Sequence, residues 1–504
     1  MRKINSLLLT TLLTISTALS LQAQELEIVR GDCTPLPVNG DVTRGAQRKL
    51  PSLRTDWDPE RVYRQMVVLV AYSDYDFQTD ETQAFYNRMF NERGFAENGA
   101  NGCIADYFRD QSGGLFNLEF DVYGPIKTNA QAKSSSSKNY ATTALREATR
   151  LLLDSLQIDC SVYDWDDNKT VDQVIYITAG PSGNASGNDG YLWPNTSSFS
   201  SIQSPDGYRI SNYSVSAERF TEKIGCGLGT ICHEFSHCLG LPDIYPVSSN
   251  QGYSVADEWD LMDGGNFTRN GWCPVGYTPT EKMLLGWLTP IELDEPVSIS
   301  GLKPVTDGGE VYQIRHTDNE FYLLENRQWT GWDAYLPGKG LVIYHVDYNR
   351  SAWSNNSVNN SRTHRRFQLV CADNMDYDAW DKVLEDSTTT KKGGHSLYLS
   401  GAAYPYEDNN LLTDDSTPAS VMFNNNADNS TMLSKAITNI KVTDDGLVSF
   451  DFRGGDHVAI SEVQSHEPAD KEAIYNLQGM RIEQPKRGLY VKNGKKIIIH
   501  SYNY

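Results

Sequence analysis

The stretch from His233 to Asp243, reading His-Glu-Phe-Ser-His-Cys-Leu-Gly-Leu-Pro-Asp, constrains this chain more tightly than any other part of it. His233 and His237 are four residues apart, so on a helix they share one face, one turn above the other. Two imidazoles placed that way can bind one Zn²⁺ at about 2.0–2.1 Å each. Glu234 sits beside the first of them, where a carboxylate can take the proton of a metal-bound water. Gly240 permits the left-handed turn that ends a helix. Pro242 keeps the helix from resuming. Asp243 then comes back toward the metal as the expected third ligand, completing the pattern HExxHxxGxxD. The flanks are small and apolar, from Ile224 to Cys232 before and from Cys238 to Leu241 after, which predicts a buried helix. Such a helix rarely carries two histidines and a glutamate without a metal or partner to satisfy them. A surface helix with two solvated histidines does not account for the glycine and aspartate at fixed offsets.

The rest of the sequence bounds the setting. At 504 residues the chain is expected to form two to four units. The net charge of -21 argues against nucleic acid and anionic membrane as partners. Residues 1–23 read as a signal peptide. Arg2 and Lys3 precede an apolar run from Ser6 to Ser20 too short for a comfortable span, and Leu21-Gln22-Ala23 offers a cleavage site. No later segment is apolar over a membrane-spanning length. The expected product is exported, secreted or at the cell surface, and its eight cysteines lie in a compartment that permits disulfides. Cys232 and Cys238, on nearly opposite helix faces, are not expected to bridge each other. Cys33 has three readings: a thiolate ligand of a latent form, a disulfide, or a free thiol.

Along the chain, residues 24–60 are polar and read as a leader or removable prosegment. Residues 61–290 alternate strands and helices. A buried strand is expected at 66–72, helices at 77–95, 105–111 and 142–156, and strands at 115–123 and 171–179. A loop-rich stretch separates the last of these from the helix of His233. Met262 lies in a turn-prone setting, either as an apolar floor beneath the metal ligands or as a core filler. Residues 291–455 carry short alternating strands between Gly, Asn and Asp turns and predict a β-rich, sandwich-like domain. Residues 456–472 read as a linker, and 473–504 as a small final β module.

Taken together, the Asp243 motif and the Glu258-Trp-Asp-Leu-Met-Asp-Gly segment resemble the immune-inhibitor-A-type zinc metalloproteases, a secreted bacterial branch of the metzincins. Residues 67–74, 104–112, 120–125, 286–288, 322–328 and 336–347 extend the resemblance over roughly residues 62–452. It implies an α/β (α+β) metzincin-like catalytic domain. It also implies that His233 and His237 bind Zn²⁺ and that Glu234 is the general base of a metalloendopeptidase acting on protein or peptide substrates. Asp243 stands where the longer metzincin motif has a third histidine; Glu258 and Asp260 are alternative third ligands. Tyr245 is a candidate oxyanion donor or a packing residue.

Asp164 to Asp172 places oxygen ligands at relative positions 1, 3, 5 and 9, as in Ca²⁺ loops, but has Lys169 where the turn glycine belongs and lacks the glutamate at position 12. Bound Ca²⁺ and a solvated acidic turn are its two readings. The tail from Ala473 resembles the C-terminal sorting domains of type IX-exported Bacteroidetes proteins, or is a plain β hairpin module. Against the enzyme stands a different class, a surface binding module or adhesin with a structural or vestigial zinc site. A closed structural site would have no use for Glu234.

Overall fold

The computed structural model describes residues 50–135, 139–248, 254–375, 391–392 and 395–455, and in the tail 474–475, 481–482, 485, 488–492 and 495–499. The signal peptide, Cys33, most of the leader and the linker lie outside the described residues. Two compact units emerge, Met1–Asp456 and His457–Tyr504.

The first half of the larger unit is built on a five-stranded sheet. Its strands are β1 (Val62–Ala71), β2 (Asn117–Lys127), β3 (Val174–Pro181), β4 (Asn195–Gln203) and β5 (Arg209–Arg219), in the order β2-β1-β3-β5-β4. All neighbours are parallel except β4, which runs antiparallel to β5 at the edge. β1 reads as a continuous apolar run because it is buried on both faces, as central parallel strands are. Val67 and Leu69 join one core with Leu228, Ile231 and Phe235. Met66, Val68 and Val70 join another with Leu145, Ala148 and Leu152.

Helices α1 (Thr82–Asn91), α2 (Ile104–Gln111) and α3 (Thr142–Ser155) flank the sheet. α1 is shorter than the expected 77–95 because the chain turns at Glu92 and Gly94, the latter at φ 72°. The stretch read as loop-rich holds the short helix α4 (Gly183–Ser186) and the β4–β5 hairpin. β4 escaped the apolar-alternation test because it is an edge strand whose sequence is mostly serine, threonine and asparagine. Helix α5 (Leu228–Cys238) carries the histidines and is buried from Leu228 to His237. Its approach to the following loop is close: a Cβ on Gly229 would lie 2.1 Å from the carbonyl oxygen of Asn266.

After α6 (Pro279–Leu284) come β6 (Ile291–Glu292), β7 (Val297–Leu302), β8 (Tyr312–Arg315), β9 (Glu320–Arg327) and β10 (Gly340–Asp347). The short helix α7 (Arg350–Ser354), β11 (Phe367–Leu369), the ribbon β12 (Lys391–Lys392) and β13 (His395–Ser396), and β14 (Ile437–Val442) and β15 (Val448–Phe452) complete the unit. One sheet has the order β11-β10-β9-β8-β6 and another β14-β15-β7. Alternation along β9 and β10 divides their side chains between two cores. Tyr322, Leu324, Leu341 and Ile343 pack with Phe450 and Phe452 of β15. Phe321, Leu323, Val342 and Tyr344 pack into the same core as Ile231 and Phe235 of α5. The β-rich half is thus continuous with the first half across residue 290.

Residues 50–60, grouped with the leader by sequence, pack against this body. The Trp57 ring lies 4.5 Å from that of Phe116, and its Nε1 donates to the carbonyl of Leu285 at 2.6 Å. In the tail, the described strands 474–475, 481–482, 488–492 and 495–499 form a four-stranded sheet. Among the described residues, no helix is long and apolar enough to cross a membrane.

Candidate metal centre

α5 presents His233 and His237 with ring centroids 4.9 Å apart and planes at 85°. Each imidazole is oriented from behind. His233 Nδ1 lies 2.8 Å from the carbonyl oxygen of Leu261, and His237 Nδ1 lies 2.8 Å from that of Leu241. A carbonyl accepts only, so each Nδ1 carries the proton and each Nε2 is left as a donor for a cation.

The chain then turns at Gly240, whose φ is 99° and whose amide donates to His237 O at 3.0 Å. Pro242 follows, and Asp243 swings back beneath the helix. Its Oδ1 lies 3.2 Å from His233 Nε2 and 3.2 Å from His237 Nε2. That oxygen is buried and has no hydrogen-bond donor of its own. A buried carboxylate oxygen 3.2 Å from two imidazole Nε2 atoms is a donor set that a divalent cation satisfies, so these residues fit a metal. The three ligand atoms lie within 4.8 Å of one another. Burial opposes the charge on His237, yet the Asp243 carboxylate prevails and raises it to about 9. Asp243 is held well below the usual carboxylate range by the same pair of imidazoles, against the effect of burial.

Glu258 and Asp260 do not join this group. Asp260 accepts from Met262 N at 2.7 Å and faces Glu281. Burial pushes both carboxyls upward, and the charge of Glu281 raises Asp260 further, while the hydrogen bond from Asp260 opposes the rise in Glu281. Met262 is fully buried; its carbonyl accepts from Ile244 N at 2.9 Å, and the carbonyl of the preceding Leu261 holds His233. The segment expected to underlie the ligands therefore touches both the first histidine and the loop of Asp243.

Glu234 is buried, and desolvation raises its carboxyl above the ordinary range, opposed by the two imidazoles. Its partner is Thr196 of edge strand β4, a residue missed from sequence. Thr196 Oγ1 lies 2.9 Å from Glu234 Oε2 and 2.5 Å from Glu234 O. The hairpin signal that could have found it is Ser204-Pro-Asp-Gly207, a turn sequence between β4 and β5. The Tyr245 ring stacks beside His233 with centroids 6.4 Å apart.

The acidic loop is arranged differently. Asp164, Asp166 and Asp172 cluster, but Asp164 accepts from the amides of Asn168 and Lys169 at 3.0 and 2.9 Å. Asp172 accepts from Trp165 N at 2.5 Å and pairs with the Arg54 guanidinium. Loop amides occupy Asp164, and a loop amide and Arg54 occupy Asp172, so the Ca²⁺ expectation gains no support. Among the described residues, Cys103, Cys160, Cys226, Cys232 and Cys273 are free thiols.

Two imidazoles, an aspartate and an adjacent buried glutamate on one helix and its following turn are the working parts of a metallopeptidase. The family comparison agrees at that level. The family model for the catalytic domain of immune inhibitor A peptidase M6 matches residues 200–284, which include the two histidines, Asp243 and Met262. Among solved structures, the chain matches metalloproteinase-II from Bacteroides fragilis at 14% identity over 47% of this chain, with a TM-score of 0.23. The chain spans 57% of that protein. No curated protein matches.

Proposed function

We propose that the chain is an exported zinc endopeptidase that hydrolyses peptide bonds of extracellular proteins, with Glu234 as general base. The observation that carries this reading is the buried Asp243 Oδ1 set 3.2 Å from both Nε2 atoms, with a buried Glu234 directly after His233 on the helix. His233 Nε2, His237 Nε2 and Asp243 would hold Zn²⁺, which supplies Lewis-acid polarisation of the scissile carbonyl and eases ionisation of a water. Glu234, its carboxyl raised by burial, takes the proton of the attacking water and passes it to the leaving amine. Thr196 holds that carboxylate. Among the described residues β4 is an edge strand, whose outer side is where an extended substrate can lie. Residues 1–23 would direct export, and the tail from residue 473 would serve surface delivery.

The reading is tested by casein cleavage with the chain lacking residues 1–23, before and after chelation and after Zn²⁺ is returned. Loss and recovery of cleavage are expected. Cleavage that persists in protein shown to be metal-free would overturn it.

A further inference from the structure

The third ligand is held by a part of the chain far away in sequence. After α7, Asn356 adopts a left-handed backbone at φ 52° and is buried. Its side chain grips Asp243 twice. Asn356 Nδ2 donates to Asp243 Oδ2 at 2.7 Å, and Asp243 N donates to Asn356 Oδ1 at 2.6 Å. The grip continues along the same loop. Asn359 Nδ2 donates to the carbonyl of Ile244 at 2.9 Å, while Asn360 Oδ1 accepts from Val247 N at 2.9 Å and Ser248 N at 3.2 Å. Asn359 is in turn fixed to β11, donating to Phe367 O and accepting from Phe367 N.

We propose that Asn356 is a positioning residue of the metal site and that Asn356, Asn359 and Asn360 form a clamp that fixes Asp243 as a ligand. The inference rests on reading His233, His237 and Asp243 as the metal centre. A carboxylate has two equivalent oxygens and a freely turning terminal bond. The Asn356 amide makes them inequivalent. It occupies Oδ2, which leaves Oδ1 directed at the two Nε2 atoms. The backbone bond to Asp243 N sets the height of the same residue, and the two bonds to Asn360 stop the loop from sliding. Groups that orient metal ligands in this way typically account for 10- to 100-fold in metal affinity. The clamp lies beyond residue 290, so the second half of the chain takes part in building the centre.

The test is zinc affinity, measured by competition with a chromophoric chelator on the full chain lacking residues 1–23. Four proteins are compared: the parent, Asn356→Gly, Asp243→Ala and the double variant. Glycine keeps the left-handed backbone at no steric cost and removes only the amide. Asn356→Gly is expected to weaken zinc binding about 10- to 100-fold. In the Asp243→Ala background the same change is expected to have no further effect, because Asn356 acts through Asp243. Parent-like affinity in Asn356→Gly overturns the proposal. So does an equal loss with and without Asp243, which marks a general structural effect. Should Asn356→Gly fail to fold, Asn356→Asp replaces it: the shape and left-handed backbone are kept, the donor is lost, and unchanged or tighter zinc binding overturns the proposal. A folded parent that takes up no zinc overturns the metal reading itself, an outcome distinct from zinc binding that ignores Asn356.

Discussion

Thr196 Oγ1 sits 2.9 Å from Glu234 Oε2, joining the exposed edge of the first sheet to the carboxylate that would move protons. The same hydroxyl reaches the Glu234 carbonyl oxygen at 2.5 Å, so strand β4 and helix α5 are tied at Glu234 itself. Thr196→Val keeps the shape and removes the hydroxyl. We predict a fall in kcat of about tenfold, the worth of roughly one hydrogen bond, with KM little changed. Steady-state kinetics on a peptide substrate decide it: a KM rise at constant kcat would make Thr196 a substrate-binding residue instead.

Gly240 ends the helix of His233 and His237 at φ 99°. A Cβ there would lie 2.8 Å from Leu53 Cα and 3.1 Å from Pro51 O, backbone atoms that cannot step aside cheaply. Gly240→Ala is predicted to cost at least ~2 kcal/mol and to weaken zinc binding, since the turn delivers Asp243. The urea unfolding midpoint and the zinc content together check this, and a variant unchanged in both contradicts it.

Arg327 of β9 is buried. Its Nε donates to Asp333 Oδ2 at 2.9 Å and its Nη2 to Asp333 Oδ1, while Nη1 donates to the carbonyl of Trp259 at 2.6 Å. Arg327→Met leaves Asp333 charged, buried and without this partner, and is predicted to cost about 3–5 kcal/mol. The double variant Arg327→Met with Asp333→Leu is predicted to recover much of that loss. Equal stability of the single and double variants in urea unfolding would show that the pair is not the source of the cost.

Glu320 gives a pH signature. Burial alone would raise its carboxyl, but His345 and the amides of Phe423 and Asn424 outweigh burial and hold it at about 2. The native state thus binds fewer protons here than the unfolded chain, whose glutamates titrate near ~4.3. The stabilisation is fully present above that value and is lost as pH falls toward 2. Glu320→Gln is predicted to cost about 2–3 kcal/mol at pH 7, with the gap to the parent narrowing between pH 4.5 and 3. A gap constant with pH would contradict this.

The metal helix was legible in the sequence because its chemistry is local. Two histidines at helical spacing, a glycine and an aspartate fit within one helix and one turn. β1 and β3 were equally plain, since central parallel strands must be apolar throughout. β4 was not legible: an edge strand with one solvated side satisfies its pairing with serines and threonines, so Thr196 had no apolar pattern to announce it. Nor was Asn356. Its bonds to Asp243 cross 113 residues, and an asparagine in a run of asparagines and serines reads as a turn until the fold brings it against its partner. The candidate third ligand lay between, since Asp243, Glu258 and Asp260 were all within reach in the sequence, and the turn at Gly240 brings Asp243 to the two histidines.

The central claim is that Glu234 turns a bound metal into a peptidase. The measurement that tests it most directly compares the chain lacking residues 1–23 with Glu234→Ala, following casein cleavage and zinc content on both. The account predicts one zinc per chain in each, with cleavage in the parent and a loss of at least ~10³-fold in the variant. Zinc in both with equal cleavage, or a folded parent without zinc, would contradict it.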